Sequence, residues 1–203
     1  MNRIQHTAVD WRGWPLDKNP HGKYFDASAR VRMIRGSRQL LPLIYKYKDY
    51  FRGDVLEVGP FFVPLIIKRD LRRHVTYIEN DMYAVAYLEN KGFEVKDINL
   101  NTSDLSKIKK RFGVLIISQV LNYVDYEKVL RNLKKLLKKG SYVFINEVID
   151  YGIPKLFSEK RARKDSAILD ALRCNGLHIV EVKKIKVYSN QTKNKRLLVA
   201  AKI

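Results

Sequence analysis

The chain has 203 residues, a single cysteine, 46% hydrophobic residues and a formal net charge of +19 at pH 7. This length and apolar content predict one folded domain with a sizeable core and argue against a disordered chain. Cys174 alone excludes a disulfide framework or a multi-cysteine zinc site within one chain, and the longest apolar run, 61–67, is shorter than the roughly 20 residues of a membrane span.

The positive charge is concentrated in the two ends of the chain. Residues 1–53 hold 11 Lys and Arg against four acidic residues, and residues 150–203 hold 13 against five, so the ends carry +7 and +8 and the middle carries +4. Such an excess favours anionic partners: nucleic acid, a phosphorylated metabolite or an anionic surface. The alternative is a set of solvated lysine faces without a partner.

The chain order of the patterns predicts an α/β domain. An N-terminal extension over 1–53, helical over 27–50, precedes a domain over 54–203 in which β-rich apolar runs alternate with helical patterns, as in a parallel sheet with crossover helices. The predicted parallel strands are 54–58, 74–79, 94–97, 114–118 and 142–147. A hairpin of two further strands, 178–187 and 196–202, is expected to complete the sheet.

Two helices of this domain have boundary signals. Asp125 is a predicted N-cap, the apolar residues over 129–137 recur at helical spacing, and Gly140 is the predicted stop. A second helix is predicted over 166–174. Both helices are expected to pack one apolar face on the sheet.

The ends of the first two predicted strands carry the strongest chemical signal. The first strand runs into Gly59, whose conformational freedom lets backbone approach a ligand closely, and Pro64 suits the first turn of a following helix. Glu79 ends the second strand, 22 positions after Glu57. A carboxylate at that point accepts both hydroxyl hydrogens of a cofactor ribose in the nucleotide-binding βαβ plan.

In this order, the features resemble the class I S-adenosylmethionine-dependent methyltransferase family. Residues 55–60 resemble its first motif, 77–80 its acidic second motif, 112–124 its fourth strand and following turn, and 139–147 its fifth strand. The resemblance implies a three-layer Rossmann-like sandwich with a seven-stranded, mostly parallel sheet and an antiparallel C-terminal strand. It also implies methyl transfer, with S-adenosylmethionine as cofactor and S-adenosylhomocysteine as product.

The resemblance assigns roles to individual residues. Glu79 is expected to bind the ribose, and Glu57 to orient the loop or reach the methionine amino group through water, with capping of the turn as the alternative. Asp97 falls where the family places a residue near the adenine amino group, with helix capping or solvation as the alternative. The full set expected at the cofactor is Tyr24, Glu57, Gly59, Pro60, Glu79, Asn80, Asp97, Ile98, Ser118 and Gln119. No metal is expected.

The loop after the first strand departs from the family pattern. The family continues with two more glycines, whereas this loop reads Gly59-Pro60-Phe61-Phe62-Val63-Pro64. A side chain at Phe61 obstructs the methionine end of the cofactor, and Val63 disfavours a left-handed turn. Either the loop takes another path and binds the cofactor, with one phenylalanine ring in the core and the other at the cleft, or binding is lost. We expect the first outcome.

The acceptor is expected to be a small molecule. Residues 118–123 stand where nucleic-acid amino methylases carry an Asn-Pro-Pro-Tyr tetrad, and the tetrad is absent. Glu147 and Tyr123 are candidate catalytic residues, with a strand-end carboxylate and a packed tyrosine as the structural alternatives. An RNA methyltransferase and a non-catalytic basic binding protein are the alternative functions.

The excess of positive charge leads to a further expectation about the acceptor. If the excess is functional, the acceptor is anionic, and a positive patch is expected on the cofactor side of the sheet. Its expected members are Arg30, Arg32, Arg35, Arg38 and the hairpin residues 183–196. The charged N-terminus is unlike a signal peptide, so we expect a cytoplasmic protein without a transmembrane segment.

Overall fold

A seven-stranded sheet forms the centre of the molecule. The computed structural model describes residues 35–67, 71–103, 105–152, 162, 164–188 and 193–203. The strands are β1 (Val55–Val58), β2 (Val75–Glu79), β3 (Glu94–Asp97), β4 (Phe112–Ser118), β5 (Leu137–Asp150), β6 (His178–Tyr188) and β7 (Lys193–Lys202). Their order across the sheet is β3-β2-β1-β4-β5-β7-β6.

The strand directions match the predicted fold. β1 pairs in parallel with β2 and β4, β2 with β3, and β4 with β5, whereas β7 runs antiparallel between β5 and β6. Because the first five strands are parallel, their carboxyl ends meet at one edge of the sheet, and their amino ends meet at the opposite edge. The predicted mostly parallel sheet with an antiparallel C-terminal strand is confirmed.

Helices cover both faces of the sheet. They are α1 (Leu41–Tyr47), α2 (Met82–Asn90), α3 (Tyr126–Lys134) and α4 (Asp165–Cys174), with 3-10 turns at Lys48–Tyr50, Leu105–Lys107 and Leu121–Tyr123. The Asp81 carboxylate accepts bonds from the first-turn amides of α2, and the predicted N-cap Asp125 accepts a bond from the Lys128 amide of α3. None of the described helices is long and apolar enough to cross a membrane.

Alternating strand residues divide the core into two layers. Leu56 of β1 and Leu115 of β4 lie in one buried cluster together with apolar residues of α3 and α4, among them Leu133. Their strand neighbours face the other way, where Val55 and Val114 pack in the cluster that includes residues of α1. This period of two is the ordinary pattern of a sheet that is covered on both faces.

Three predicted boundaries were wrong. α3 ends at Lys134, and Gly140 lies inside β5 at φ 80°, in the stretch where the β4–β5 register is interrupted. No helix begins at Pro64, because residues 60–67 form turns and bends. The described part of the predicted N-terminal helix is divided into a helical turn at 35–38 and α1. Pro42 explains this division, since its ring excludes a continuous helix through the preceding turn.

Candidate functional site

The carboxyl ends of β1 and β4 border a small cavity. Its volume is about 60 Å³. It is lined by Ser37, Arg38, Gly59, Pro60, Phe61, Val63, Pro64, Leu65, Ser118 and Gln119. The loop after β1, the turn after β4 and the helical turn at 35–38 therefore meet at one place, as in the ligand crevice of open α/β sheets.

Glu57 fixes the distal part of the loop after β1. Its side chain is buried within the sheet, Oε1 accepts a bond from the Leu65 amide at 2.7 Å, and Oε2 accepts one from the Ile66 amide at 3.1 Å. Burial raises the pKa of this carboxyl to about 8. The Tyr77 hydroxyl donates to the Ile66 carbonyl at 2.7 Å and fixes the same segment. This geometry supports the loop-orienting alternative for Glu57.

Gly59 makes the sharp turn that follows β1. Its φ is 68°, and a Cβ atom at this position would lie 2.4 Å from Cγ2 of Val120. A side chain is therefore excluded both by the left-handed backbone and by the close packing of the turn after β4. Position 59 therefore requires glycine for both reasons, and the second reason is the packing between the loop after β1 and the turn after β4.

Phe61 takes the backbone conformation that a glycine would adopt without cost. Its φ is 51°, an unusual value for a bulky residue. The Phe61 amide donates to Oε2 of Glu79 at 2.8 Å. The Phe62 ring is buried against Ala84, whereas the half-buried Phe61 lines the cavity, and the two rings are 4.4 Å apart in an edge-to-face contact. The expected division between a core ring and a cleft ring is observed.

Glu79 lies behind this loop, with both carboxylate oxygens hydrogen-bonded. Oε1 accepts bonds from the Asn80 and Asp81 amides at 2.8 and 3.1 Å, in addition to the Phe61 bond on Oε2. Burial raises the pKa of this carboxyl, against the effect of the three amides. A carboxylate has about four lone-pair sites, so among the described residues Oε2 retains room for one more donor.

Ser118 presents the least satisfied polar group of the site. Its hydroxyl is buried at the end of β4 and has no hydrogen-bond partner among the described residues, and Ser118 is one of the residues that line the cavity. An unpartnered buried hydroxyl costs free energy, so its retention calls for an explanation. The hydroxyl is free to bond a ligand that enters the cavity.

Gln119 follows in a left-handed conformation, with φ 61°. Its Nε2 donates to the Ser37 hydroxyl at 2.6 Å, and its Oε1 accepts a bond from Arg196 at 3.0 Å. Two of the three non-glycine residues with positive φ in the described chain, Phe61 and Gln119, thus border this one cavity. Backbone strain of this kind concentrates at functional sites.

A buried polar network that the sequence patterns do not predict supports the cavity. Arg196 is 3% exposed and donates to Asn194, Asn146 and Gln119, while Asn146 donates to the Gly36 carbonyl at 2.8 Å. Burial lowers the pKa of Arg196 to about 10. The only sequence signal is a polar Asn and Arg within otherwise apolar strand runs. Arg196 is therefore a support of the helical turn at 35–38 and no part of an exposed patch.

The remaining predicted cofactor residues lie near the site. Asp97 is exposed at the end of β3, where it pairs in register with Glu79, and the Ile98 amide donates to the Glu79 carbonyl at 2.9 Å. Asn80 is exposed directly after β2, and the buried Pro60 lines the cavity. Tyr24, Arg30 and Arg32 fall outside the described residues, so their predicted roles stay predictions.

The two candidate catalytic residues differ in accessibility. Glu147 is fully buried, its oxygens accept bonds from the Leu121 and Val148 amides, and burial raises its pKa to about 7. It holds the turn after β4 in the way that Glu57 holds the loop after β1. Tyr123 is 61% exposed, and its hydroxyl lies 3.5 Å from that of Tyr151. Only Tyr123 is open to an acceptor.

Comparisons with known proteins give the fold a name. No protein-family model matches the sequence, and no curated protein matches it. An S-adenosylmethionine-dependent methyltransferase from Mesorhizobium loti superposes with a TM-score of 0.63 and 15% identity, over 84% of this chain and 100% of its own. The chain has the class I methyltransferase fold.

Two further structures with this class I methyltransferase fold differ in their described activity. Magnesium protoporphyrin IX methyltransferase from Synechocystis PCC 6803, solved with bound S-adenosylmethionine, has a TM-score of 0.63 and 14% identity over 89% of this chain and 88% of its own. The [4+2]-cyclase SpnF has a TM-score of 0.63 and 15% identity over 81% of this chain and 80% of its own. The fold alone therefore does not decide the reaction.

Proposed function

We propose that this chain binds S-adenosylmethionine at the described cavity and transfers its methyl group to a small acceptor. The observation that carries the proposal is the buried Ser118 hydroxyl, which has no partner among the described residues and belongs to a residue that lines the cavity at the carboxyl edge of a class I methyltransferase fold. A polar group that is unsatisfied in the free chain is explained if a ligand completes its hydrogen bonding.

The donors and acceptors present fit the cofactor. Glu79 offers Oε2 to a ribose hydroxyl, Ser118 offers a hydroxyl, and the exposed Asp97 is available to an adenine amino group. The ribose hydroxyl and the adenine amino group are donors and would each meet a carboxylate acceptor, while the Ser118 hydroxyl can either donate or accept. The role of each of these residues is part of the proposal.

The size of the cavity adds a condition. Ligand pockets usually enclose about 300–1,000 Å³, whereas this cavity encloses about 60 Å³. We infer that the loop of residues 60–64 moves outward when the cofactor binds. The movement breaks the bond from the Phe61 amide to Glu79 and releases the left-handed strain at Phe61, which is about 1–2 kcal/mol for an L-residue.

The cofactor supplies an electrophilic methyl group, and the chain has to align an acceptor with it. Glu147 is unsuited to proton removal, because both its oxygens hold backbone amides in the core. Burial also raises the pKa of Tyr151 above its ordinary range, which keeps that hydroxyl protonated. We infer that catalysis rests on positioning, and that Tyr123 contacts the acceptor.

The exposed charge of this edge favours a small acceptor over RNA. Among the described residues of the carboxyl edge, eight exposed or half-buried basic side chains stand against six acidic ones, with the buried Glu79, Glu147 and Arg196 left out. The basic residues are Arg35, Arg38, Lys128, Lys164, Lys184, Lys186, Lys193 and Lys195. The acidic residues are Asp81, Asp97, Asp125, Glu127, Asp150 and Asp165. Because this excess is small, long-range attraction of a polyanion to this edge is weak.

Substitution of Ser118 tests the proposal with two opposed readouts. In Ser118→Ala the free chain loses a buried unpartnered hydroxyl, so its free energy of unfolding is expected to stay equal or rise. Calorimetric affinity for S-adenosylhomocysteine is expected to fall by about 1 kcal/mol, the net worth of a hydrogen bond. Glu79→Ala is expected to weaken the same affinity by about 1–3 kcal/mol.

Ser141→Ala is the matched control, because Ser141 is also buried but its hydroxyl donates to the Phe112 carbonyl at 2.9 Å. This control is expected to lose stability and to keep its affinity for S-adenosylhomocysteine. Absence of any binding heat at millimolar ligand would overturn the enzyme proposal and leave a non-catalytic protein with this fold.

A further inference from the structure

The topology collects basic residues at the amino edge of the sheet, opposite the cavity. We define the amino edge as the described segments that precede the parallel strands or end β7: 48–54, 71–74, 89–94, 109–112, 134–140, 173–178 and 200–203. They hold 14 basic residues against four acidic ones. The basic residues are Lys48, Arg52, Arg72, Arg73, Lys91, Lys109, Lys110, Arg111, Lys134, Lys135, Lys138, Lys139, Arg173 and Lys202.

Contacts show that the middle of this edge is continuous. Arg73 donates to the Phe51 carbonyl at 2.6 Å and to the Gly53 carbonyl at 3.4 Å. The Lys138 ammonium lies beside Gly53, and the Arg52 carbonyl packs directly on Gly113. The starts of β1, β2, β4 and β5 are thereby joined, and Arg52, Arg72, Arg111, Lys138 and Lys139 of these segments are exposed.

Most of these cations lack an acidic partner. At this edge Lys110 pairs with Asp54 at 3.2 Å, and Arg173 pairs with Asp170 at 2.9 Å. His74 also pairs with Glu94, and none of the other 12 Lys and Arg side chains of the amino edge forms an ion pair with a described residue. Like charges at this density repel one another, so an anionic partner would relieve the repulsion.

One exposed aromatic residue lies within the same surface. Tyr50 is 64% exposed, and its ring lies 6.4 Å from that of Tyr142, over which the Lys202 ammonium sits at 5.6 Å. An aromatic ring beside a track of cations offers a stacking platform for a base whose phosphates the cations bind. We propose that the amino edge binds single-stranded RNA through its phosphates, with a base stacked on Tyr50.

RNA fits this surface better than an anionic membrane does. The other large apolar side chains that are exposed in the described chain lie elsewhere: Met82, Tyr83 and Tyr123 at the carboxyl edge, Val180 and Val182 on β6, and Tyr45 on α1. The amino edge thus combines cations with one ring and offers no group of apolar side chains to insert into lipid. Its binding role is separate from the proposed methyl transfer at the opposite edge.

The test compares two variants with the same loss of charge. The edge variant is Arg52→Ala/Arg111→Ala/Lys138→Ala, and the control variant is Lys128→Ala/Lys183→Ala/Lys186→Ala, whose side chains lie away from the amino edge. Fluorescence anisotropy measures binding of a labelled oligouridine of about 20 nucleotides, long enough for one single-strand site. Wild-type affinity is expected to fall with salt at a logarithmic slope of about −0.7 for each phosphate bound.

The edge variant is expected to lose about 10- to 100-fold in affinity at low salt and to show a smaller slope, while the control variant stays near wild type. Tyr50→Ala is expected to lose about fivefold or more, and Tyr50→Phe to keep its affinity, because a phenyl ring still stacks. Equal losses in the edge and control variants would overturn the proposal, because bulk charge would then explain binding.

Vesicles that contain anionic phospholipid provide the competing partner. Binding to vesicles without binding to RNA would also overturn the proposal. Calorimetry with S-adenosylhomocysteine on the edge variant separates this proposal from the proposed function, because its cofactor affinity is expected to equal that of the wild type. Loss of RNA binding with retained cofactor affinity therefore concerns the amino edge alone.

Discussion

The two edges of one sheet use charged residues in opposite ways. At the carboxyl edge, buried carboxylates bind backbone amides, as Glu79 binds Phe61 and Glu147 binds Leu121. At the amino edge, charged side chains such as Arg52, Arg111 and Lys138 are exposed and hold no loop through an ion pair. Buried charge therefore stabilises loops at the carboxyl edge, whereas most charge at the amino edge is exposed, with Arg73, which binds the Phe51 and Gly53 carbonyls, as an exception.

Helix direction explains part of this separation. Helices that connect parallel strands begin at the carboxyl edge and end at the amino edge. Their partly positive N-termini therefore favour acidic residues at the carboxyl edge, and their partly negative C-termini favour basic residues at the amino edge. Asp81 and Asp125 cap α2 and α3, and Lys91 and Lys134 lie at their ends. The same effect applies to Lys48, which is the C-cap of α1, and to Arg72, which follows the helical residue Leu71. Arg52 and the basic residues directly before β4 follow 3-10 turns and lie beyond this explanation.

The largest expected effect is on stability at the carboxyl edge. Glu57→Leu keeps the volume of the side chain but leaves the Leu65 and Ile66 amides without their acceptor, and we expect a loss of about 2–5 kcal/mol in the free energy of unfolding. Urea denaturation measures it. Asp54→Ala, which breaks the half-exposed pair with Lys110 at the amino edge, is expected to cost about 0–1 kcal/mol. Similar losses in the two variants would contradict the contrast between the edges.

The second effect is a dependence of stability on pH. Burial raises the pKa of Glu57 to about 8 and that of Glu147 to about 7 in the folded chain, from an ordinary value of 4.5. Between pH 4.5 and these values the folded chain binds more protons than the unfolded chain. The free energy of unfolding is therefore expected to fall as the pH rises, by at most about 1.4 kcal/mol per pH unit for each group.

Glu57→Gln removes one of these groups and is expected to flatten the decline, whereas Asp54→Asn at the amino edge leaves it unchanged. Urea titrations at several pH values between 5 and 8 measure the slope. A stability that rises across this range in the wild type would show that both buried carboxyls are ionised throughout.

The third effect concerns the loop that covers Glu79. Phe61→Ala removes the ring that contacts Phe62 but keeps the strained backbone, so the closed loop is less stable relative to the open one. We expect affinity for S-adenosylhomocysteine to increase by up to about tenfold, since aromatic pairs contribute about 0.5–1.5 kcal/mol. Tyr50→Ala, which removes a ring at the other edge, is expected to have no effect on this affinity. A weaker affinity in Phe61→Ala would mean that the ring contacts the ligand.

The smallest effect is the repulsion within the amino edge. Wild-type stability is expected to rise by about 0.5 kcal/mol between low and moderate salt, because salt screens exposed like charges. The Arg52→Ala/Arg111→Ala/Lys138→Ala variant is expected to gain less from salt than the Lys128→Ala/Lys183→Ala/Lys186→Ala variant. Thermal melts in a salt series measure both, and equal gains would place the repulsion outside the amino edge.

The sequence by itself determined the architecture. Apolar runs that alternate with helical patterns sufficed to predict the strands along the chain and a parallel sheet with crossover helices. The glycine and acid at the ends of β1 and β2, taken in order with the later strands, carried the family resemblance that implied the seven-stranded fold. These signals are local, because the burial of each strand on both faces is written in its own residues. The same locality explains the correct N-cap at Asp125.

The tertiary structure decided how the candidate site is built. Three features of the site depend on segments that are far apart in sequence. They are the hydrogen bond from the Phe61 amide to Glu79, the exclusion of a side chain at Gly59 and the hydrogen bond from Arg196 to Gln119. The predicted helix at Pro64 and the stop at Gly140 failed for the same reason, since Glu57 holds the loop in turns and pairing with β4 extends β5 back to Leu137. The distribution of charge was also a tertiary outcome, because the count of charges along the chain does not say at which edge of the sheet each segment lies.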